Sequence, residues 1–325
     1  MIVRASTRFV AAATFVLLLA GALVTSTESG LAVPDWPLSY GQLMPPMVGG
    51  ILYEHGHRLI AAAVSTLVGL QVAVLYFFAK DRGLVKLGAL AFGAILCQAV
   101  LGGLTVIFLL PPAISSAHAG LAQVVFALVS SIALLASPRV ADRSLFDATG
   151  VARLAGELLA ARKLAILAAA VTYVQILLGA VMRHTSAGLA IPDVPLAFGR
   201  LVPTPEQFGL PGVPIHFAHR LGAVLASVFI VLAIRKLVAL RAVSSFFPRL
   251  AAFWSAVLVS QIGLGLLSVY SQKSVPITVL HLGFGALLWV SAVLAAVAIS
   301  RARAGVRIRE SAPASPSLAY SGGPG

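Results

Sequence analysis

Eight long apolar runs constrain this chain more than any other feature of its sequence. Each run approaches the roughly 20 residues that a helix needs to cross a bilayer core about 30 Å thick. Of the 325 residues, 59% are hydrophobic and 10% are charged, which is too little charge for a soluble domain. We therefore predict an all-α integral membrane protein whose spanning helices cover residues 8–26, 52–79, 84–109, 113–137, 163–183, 214–236, 249–271 and 275–300.

The basic residues alternate between the two ends of these predicted spans. Most of the 23 lysines and arginines flank one set of ends, whereas Arg183, Arg200 and Lys273 flank the other. The positive-inside rule then predicts a multi-pass membrane protein with both termini in the cytoplasm. The net charge of +13 is explained by this loop bias, so membrane lipid is the predicted partner and nucleic acid is not.

The first apolar run, preceded by Arg4 and Arg8, also fits the start of a signal peptide. A related run recurs in the interior at residues 163–183, where cleavage would make no sense, so we predict a retained first helix. Cys97 lies inside the third span without another cysteine in the chain, and we interpret it as a small packing residue.

An internal repeat divides the chain into two similar parts. Residues 30–45 and 188–203 are identical at ten of sixteen positions, and the pairs His57-Arg58 and His219-Arg220 follow in register. Four spans per repeat give both copies the same orientation. We predict two tandem four-helix bundles at 1–136 and 163–300, a cytoplasmic linker at 137–162 with a short amphipathic helix, and a disordered cytoplasmic tail at 301–325.

Four histidines recur in both halves and lie near the outer ends of their spans. They are His57, His118, His219 and His281, in the second, fourth, sixth and eighth spans. Two inward-facing imidazoles per bundle suit axial ligation of a haem iron. Interfacial histidines without a ligand are one alternative. Zinc is another, although its further ligands would have to come from Glu54, His55 or His216.

Glu54 is the residue at which the two halves differ most. It precedes His57 by three residues and shares its helix face, whereas the matching residue in the second half is His216. A carboxylate beside only one haem could accept protons or stabilise positive charge. A carboxylate that favours a helix N-terminus is the structural alternative.

Several other polar residues have both a functional and a structural interpretation. Arg58 and Arg220 could pair with haem propionates or extend to the interface. Gln98 and Gln261 are interpreted as helix-packing residues, and His55 and His184 as loop or interface residues. The repeated PDWPL and PDVPL loops fit rigid lids over the bundles, or simple connectors.

Together, the duplicated eight-helix plan, Glu54-x-x-His57-Arg58, His118, the GLAVPDWPL loop and the second-half histidines carry a family resemblance. The chain resembles the haem A synthases of bacteria and mitochondria over about residues 8–300. Many bacterial members have a cysteine pair in the first external loop, where this chain has Val33 and Ser39. It therefore resembles the cysteine-free branch, and no redox role is expected of this loop.

The resemblance implies oxidation of the C8 methyl of haem O, through hydroxylated intermediates, to the formyl group of haem A for terminal oxidases. It implies a substrate haem O held by His57 and His118 beside a catalytic Glu54. It also implies a haem b cofactor held by His219 and His281. Haem O synthase and the terminal oxidase assembly machinery are the implied partners, and homo-oligomer formation is left open.

Two other functions remain compatible with the residues. One is a dihaem b-type cytochrome that transfers electrons across the membrane, which normally requires haems near opposite faces. The other is a haem carrier or oxidase-assembly factor without catalysis.

Overall fold

The computed structural model describes residues 1–142 and 144–310. It contains eight helices that are long and apolar enough to cross a membrane, which confirms the predicted all-α membrane class. They are α1 (Ile2–Ser26), α2 (Gly49–Phe78), α3 (Arg82–Ile107), α4 (Pro112–Leu135), α5 (Ala155–His184), α6 (Val213–Ala239), α7 (Phe246–Tyr270) and α8 (Val275–Glu310).

The helices pack mainly with others of the same half. In the first half α1 contacts α2 and α4, and α3 contacts α2 and α4; in the second half α5 contacts α6 and α8, and α7 contacts α6 and α8. The two sets meet where α1 and α4 pack against α5 and α8. The tandem arrangement of two four-helix bundles, with a substrate half and a cofactor half, stays a prediction.

Hydrogen bonds place corresponding helix ends of the two halves side by side. Ser26, the last residue of α1, accepts from Arg183 Nη2 at 2.7 Å and from Thr278 Oγ1 at 2.9 Å. Arg183 is near the end of α5, and Thr278 is in the first turn of α8. The loops that follow α1 and α5 are therefore at the same end of the molecule.

Two boundaries differ most from the sequence prediction. Helix α5 begins at Ala155 instead of 163, and the connection before it contains the short helices Pro138–Ala141 and Ala148–Arg153. Asp147 caps the second of these by accepting from Gly150 N, as short polar side chains do at helix starts. Helix α8 continues to Glu310, so the expected tail is helical over 301–310, and residues 311–325 lie outside the described residues.

The loops after α1 and α5, which are predicted to be external and are called the first and second external loops below, have the same local structure. In the first, Asp35 accepts from the N–H groups of Tyr40 and Gly41 at 2.6 and 2.8 Å, and Ser39 pairs with Gln42. In the second, Asp193 accepts from Phe198 and Gly199 at 2.6 and 2.7 Å. Gly41 and Gly199 have φ of 69° and 74°, which glycine adopts without steric cost. The sequence repeat is therefore also a repeat of backbone conformation.

The first loop packs onto the bundle through Trp36. A Cβ atom built on Gly103 of α3 would lie 2.6 Å from Trp36 Cδ2, well inside van der Waals contact. Glycine at 103 therefore lets the indole lie directly against the helix backbone.

We expect Gly103→Ala to destabilise the protein and Gly93→Ala, on the same helix, to leave it unchanged or slightly more stable. Both replacements gain helix propensity, but Cβ of residue 93 would have no neighbour within 4 Å, whereas Cβ of residue 103 displaces Trp36. Overpacking of this kind typically costs about 1–3 kcal/mol. Thermal unfolding in detergent measures the difference, and equal melting temperatures for the two variants would contradict the packing argument.

Candidate functional site

The four repeated histidines lie within the first three turns of α2, α4, α6 and α8 and are half-buried. Each ring packs against a glycine on the preceding helix. A Cβ built on that glycine would approach the imidazole Cε1 to 3.1 Å for Gly21 and His57, 3.1 Å for Gly102 and His118, 2.9 Å for Gly179 and His219, and 3.3 Å for Gly265 and His281. The rings are thus held against helix backbone at all four positions.

The sequence contains a signal for this arrangement that our sequence analysis did not use. Three of the four glycines follow a glutamine by four residues: Gln98 precedes Gly102, Gln175 precedes Gly179 and Gln261 precedes Gly265. The fourth, Gly21, follows Leu17 in the same way. Residues four apart share a helix face. Each glutamine therefore lies on the face that contacts the histidine, one turn towards the N-terminus of its helix.

The ring nitrogens of these histidines have distinct environments. Nδ1 of His57, His118 and His281 is buried and has no hydrogen-bond partner among the described residues. Nε2 of the same three rings is not among the buried unpaired atoms of that part of the chain. An accessible Nε2 lone pair on a ring fixed by packing is the donor that a haem iron takes from histidine, so these residues fit a haem.

The glutamines that precede these glycines form different hydrogen bonds in the two halves. Gln98 Nε2 donates to the His118 carbonyl at 2.9 Å, so this glutamine contacts the histidine turn as well as packing helices. Gln175 Nε2 donates to the His219 carbonyl at 2.7 Å and lies 3.0 Å from His219 Nδ1. The first half has Leu17 in the place of Gln175. Among the described residues, His219 is the one of the four histidines that has an amide within hydrogen-bond distance of Nδ1.

Glu54 is buried and its two carboxylate oxygens have different partners. Oε2 accepts from Val33 N at 2.8 Å, and Oε1 forms an ion pair with Arg58 Nη2 at 2.6 Å. The side chain is only 5% exposed, and charge-assisted bonds of this kind offset the desolvation of a buried carboxylate. Glu54 thus fixes the start of the external loop beside the turn that holds His57.

Arg58 also holds the first external loop against α2. Its guanidinium donates to the carbonyls of Asp35 and Leu38 at 2.7 and 2.8 Å, and to that of Val33 at 3.3 Å. The structure therefore directs Arg58 towards the loop backbone. Pairing of Arg58 with a propionate stays a prediction.

In the second half the loop is held to its helix in the same way, but by a histidine in place of the glutamate. His216 Nδ1 accepts from Ile191 N at 3.2 Å, the bond that Glu54 makes to Val33 in the first half. Arg220 donates to the carbonyls of Leu196 and Ile191 at 2.7 and 3.2 Å. Loop anchoring is therefore common to both halves, and the carboxylate is specific to the first.

His55 is more deeply placed than the sequence suggested. We expected a loop or interface residue, but it lies on α2, is 5% exposed, and its Nδ1 is 2.7 Å from Ser39 Oγ. The matching residues in the second half are Phe217 and Ala197, which cannot form this bond. His184 is the last residue of α5 and is half-buried.

The alternative of a zinc site gains no support. No group of three or more His, Cys, Asp or Glu side chains that could hold a metal ion occurs among the residues described. Cys97, which we expected to be a packing residue, is instead exposed on the surface of α3.

Comparisons with known proteins find similar sequences over most of the chain. Residues 48–293 match the model of the family described as cytochrome oxidase assembly protein. A "Heme A synthase" of Symbiobacterium thermophilum is 35% identical over 228 residues, which cover 67% of this chain and 70% of the relative. A "Heme A synthase" of Bacillus cereus strain 03BB102 is 30% identical over 311 residues, covering 92% and 93%.

The hydrogen bonds that Asp35 accepts within the first external loop predict that the stability of this loop depends on pH. The pKa of Asp35 lies below its ordinary value of 3.8, chiefly because Gly41 N–H donates to the carboxylate, with Tyr40 N–H contributing. A lowered pKa in the folded state stabilises the loop above the unfolded value, and this contribution is lost as pH falls through the folded value. We expect the hydrogen-exchange protection of Tyr40 and Gly41 to fall with acidification below pH 3.8.

The matched variant is Asp35→Asn, which removes the titrating group. It should abolish the pH dependence in the first loop and leave that of the second loop, where Asp193 makes the same bonds. Identical protection profiles for the first loop in the variant and the original protein would contradict the assignment.

Proposed function

Because the chain belongs to the cytochrome oxidase assembly protein family, we propose that it oxidises the C8 methyl of haem O to the formyl group of haem A. The observation that carries this proposal is the set of four histidines in register, each fixed against a glycine on the neighbouring helix. Relatives named for haem A synthesis match most of the chain. The protein would thus be a membrane oxidoreductase of haem biosynthesis.

We assign the substrate haem O to the first half and a haem b cofactor to the second. His57 and His118 would ligate the iron of the first, and His219 and His281 that of the second. When bound, haem iron supplies the electron-transfer and oxidation chemistry that amino-acid side chains lack. The protein contributes the ligands, their orientation and the shielding of the site by the external loops.

Glu54 is the residue that we assign to catalysis in the first half. It lies three residues before His57, on the same helix face, and is held in one orientation by Val33 N–H and Arg58. A carboxylate has lone pairs beyond those two bonds and can take a proton from a substrate carbon or water, or stabilise positive charge beside it. The second half has an imidazole at this position, which favours a supporting role there.

The arrangement favours local chemistry over electron transfer across the membrane. The contacts of Ser26 with Arg183 and Thr278 place the histidine-bearing ends of both halves side by side. A cytochrome that carries electrons across the bilayer needs sites near opposite faces. A carrier without catalysis would need Glu54 only as a loop anchor, a role that His216 fills in the second half without a carboxylate.

The charge bias of the loops supports a defined orientation. We assign the protein to the bacterial inner membrane, with both termini in the cytoplasm and the histidine sites towards the outer face. Haem O synthase, which would supply the substrate, and the terminal oxidase assembly machinery are the partners that we assign.

The glycine contacts can be tested by spectroscopy. We expect Gly179→Ala to weaken or shift the low-spin bis-histidine haem spectrum of the second half, because the new methyl would lie 2.9 Å from His219 Cε1. Gly263→Ala is the matched control, since a Cβ there has no neighbour within 4 Å. Indistinguishable spectra for the two variants would count against ligation by His219.

The catalytic assignment can be tested by co-expression with a haem O synthase and chromatography of the extracted haems. His57→Ala and His118→Ala should abolish the haem A peak. Glu54→Gln should lower haem A formation by about 10²-fold or more, the usual range for loss of a general acid or base, while the second-half haem spectrum persists.

His216→Gln is the control for this experiment, because His216 anchors its loop as Glu54 does. It should leave haem A formation within a few-fold of the original level, although it disturbs the equivalent hydrogen bond. Haem A formation by Glu54→Gln at the original rate would refute the catalytic role. Unchanged haem O in the unmodified protein would refute the proposed function.

A further inference from the structure

Arg183 is a cation at the junction of the two halves, and the proposed function assigns no role to its charge. It lies in the last turn of α5 and is half-buried. Its Nη2 donates to Ser26 Oγ of α1 at 2.7 Å, and this hydroxyl also accepts from Thr278 of α8 at 2.9 Å. The guanidinium is therefore fixed between three helices.

The charge of Arg183 has no carboxylate partner in the part of the chain that the structure describes. The ion pairs there join Arg58 with Glu54 and Lys236 with Glu157. A guanidinium has five N–H donors, and the contact with Ser26 uses one. Ionisable groups within membrane spans are costly and usually pair with an opposite charge, so this position suits an anionic ligand.

Arg183 lies one helical turn closer to the C-terminal end of α5 than the glycine that contacts His219. Gly179, which packs against His219, is four residues earlier on α5, so Arg183 is on the same helix face about 6 Å nearer the outer end. Thr278, which shares Ser26 with Arg183, precedes His281 by three residues on α8. The cation is thus flanked by the helix that supports one of these histidines and the helix that carries the other.

We propose that Arg183 binds a propionate carboxylate of the haem in the second half. The inference rests on the proposed function, because it requires a haem between His219 and His281. A haem carries two propionates on one edge, and an arginine outward of both ligands would receive that edge with charge-assisted hydrogen bonds. The haem would then enter with its propionates towards the outer face.

Two observations separate Arg183 from the other cations near the site. Arg58 and Arg220 already donate to carbonyls of the external loops. The first-half residue that matches Arg183 is Thr25, which is uncharged. The cation therefore belongs to the second half by sequence, and it adds a further asymmetry to that of Glu54 and His216.

The test compares binding of haem B with binding of its dimethyl ester, in which both propionates are neutral. Purified protein carrying His57→Ala and His118→Ala reports on the second-half site alone through its Soret band. We expect this protein to bind the free acid about tenfold to a hundredfold more tightly than the ester. Adding Arg183→Gln should bring that ratio close to one, and Arg183→Lys should retain part of it.

Arg200→Gln is the matched control, because Arg200 is an exposed cation of the second external loop. It should leave the acid-to-ester ratio unchanged. A ratio in Arg183→Gln equal to that of the parent would overturn the proposal, as would a parent that binds acid and ester equally. The second result needs no arginine variant, so it stands even if Arg183→Gln fails to fold.

A role of Arg183 in neutralising the helix C-terminus alone would change thermal stability without changing the acid-to-ester ratio, and this result would also overturn the proposal. Failure of the proposed function looks different. In that case the unmodified protein would show no haem spectrum dependent on His219 and His281, with either form of the haem.

Discussion

The close approach of helix backbone to the histidine rings is the constraint on which the site depends. At Gly21, Gly102, Gly179 and Gly265 a side chain would overlap or crowd the imidazole of the next helix. In a bilayer, helices associate through packing of small residues because lipid offers no hydrophobic driving force between them. The same glycines therefore bring the helices together and limit the orientations of the rings. This coupling explains how a bundle of apolar helices can hold four potential iron ligands in place.

Anchored loops complete the site from the outside. In both halves an arginine directly after the histidine donates to loop carbonyls, and the residue three positions before the histidine accepts from a loop N–H. Buried backbone groups need such partners. The first half meets this need with a carboxylate and the second with an imidazole, so duplication preserved the anchor while the chemistry beside the ring diverged. Glu54 consequently combines a structural contact with the catalytic role that we assign.

Asymmetry between the halves is distributed over several positions. Glu54 in the first half corresponds to His216 in the second, Leu17 corresponds to Gln175, and Thr25 corresponds to Arg183. Gln175 contacts the His219 turn, and Arg183 lies outward of it. These two polar groups lie beside the second-half site, as suits the retained cofactor that we assign to it. A site that must bind a substrate and release a product gains less from additional anchors.

The sequence alone determined the number of spanning helices, the duplication and the four histidines, because lipid requires long apolar runs and because the repeated motifs survive in the primary structure. It left open the roles of Arg58 and Arg220, placed His55 in a loop or interface, and began α5 at 163. Only the tertiary structure showed the loop carbonyls that both arginines contact, the burial of His55 and the start of α5 at Ala155. The partners of a polar side chain depend on which helices and loops meet, and the glycines at 21, 102, 179 and 265 acquire meaning only when the neighbouring helix brings a histidine against them.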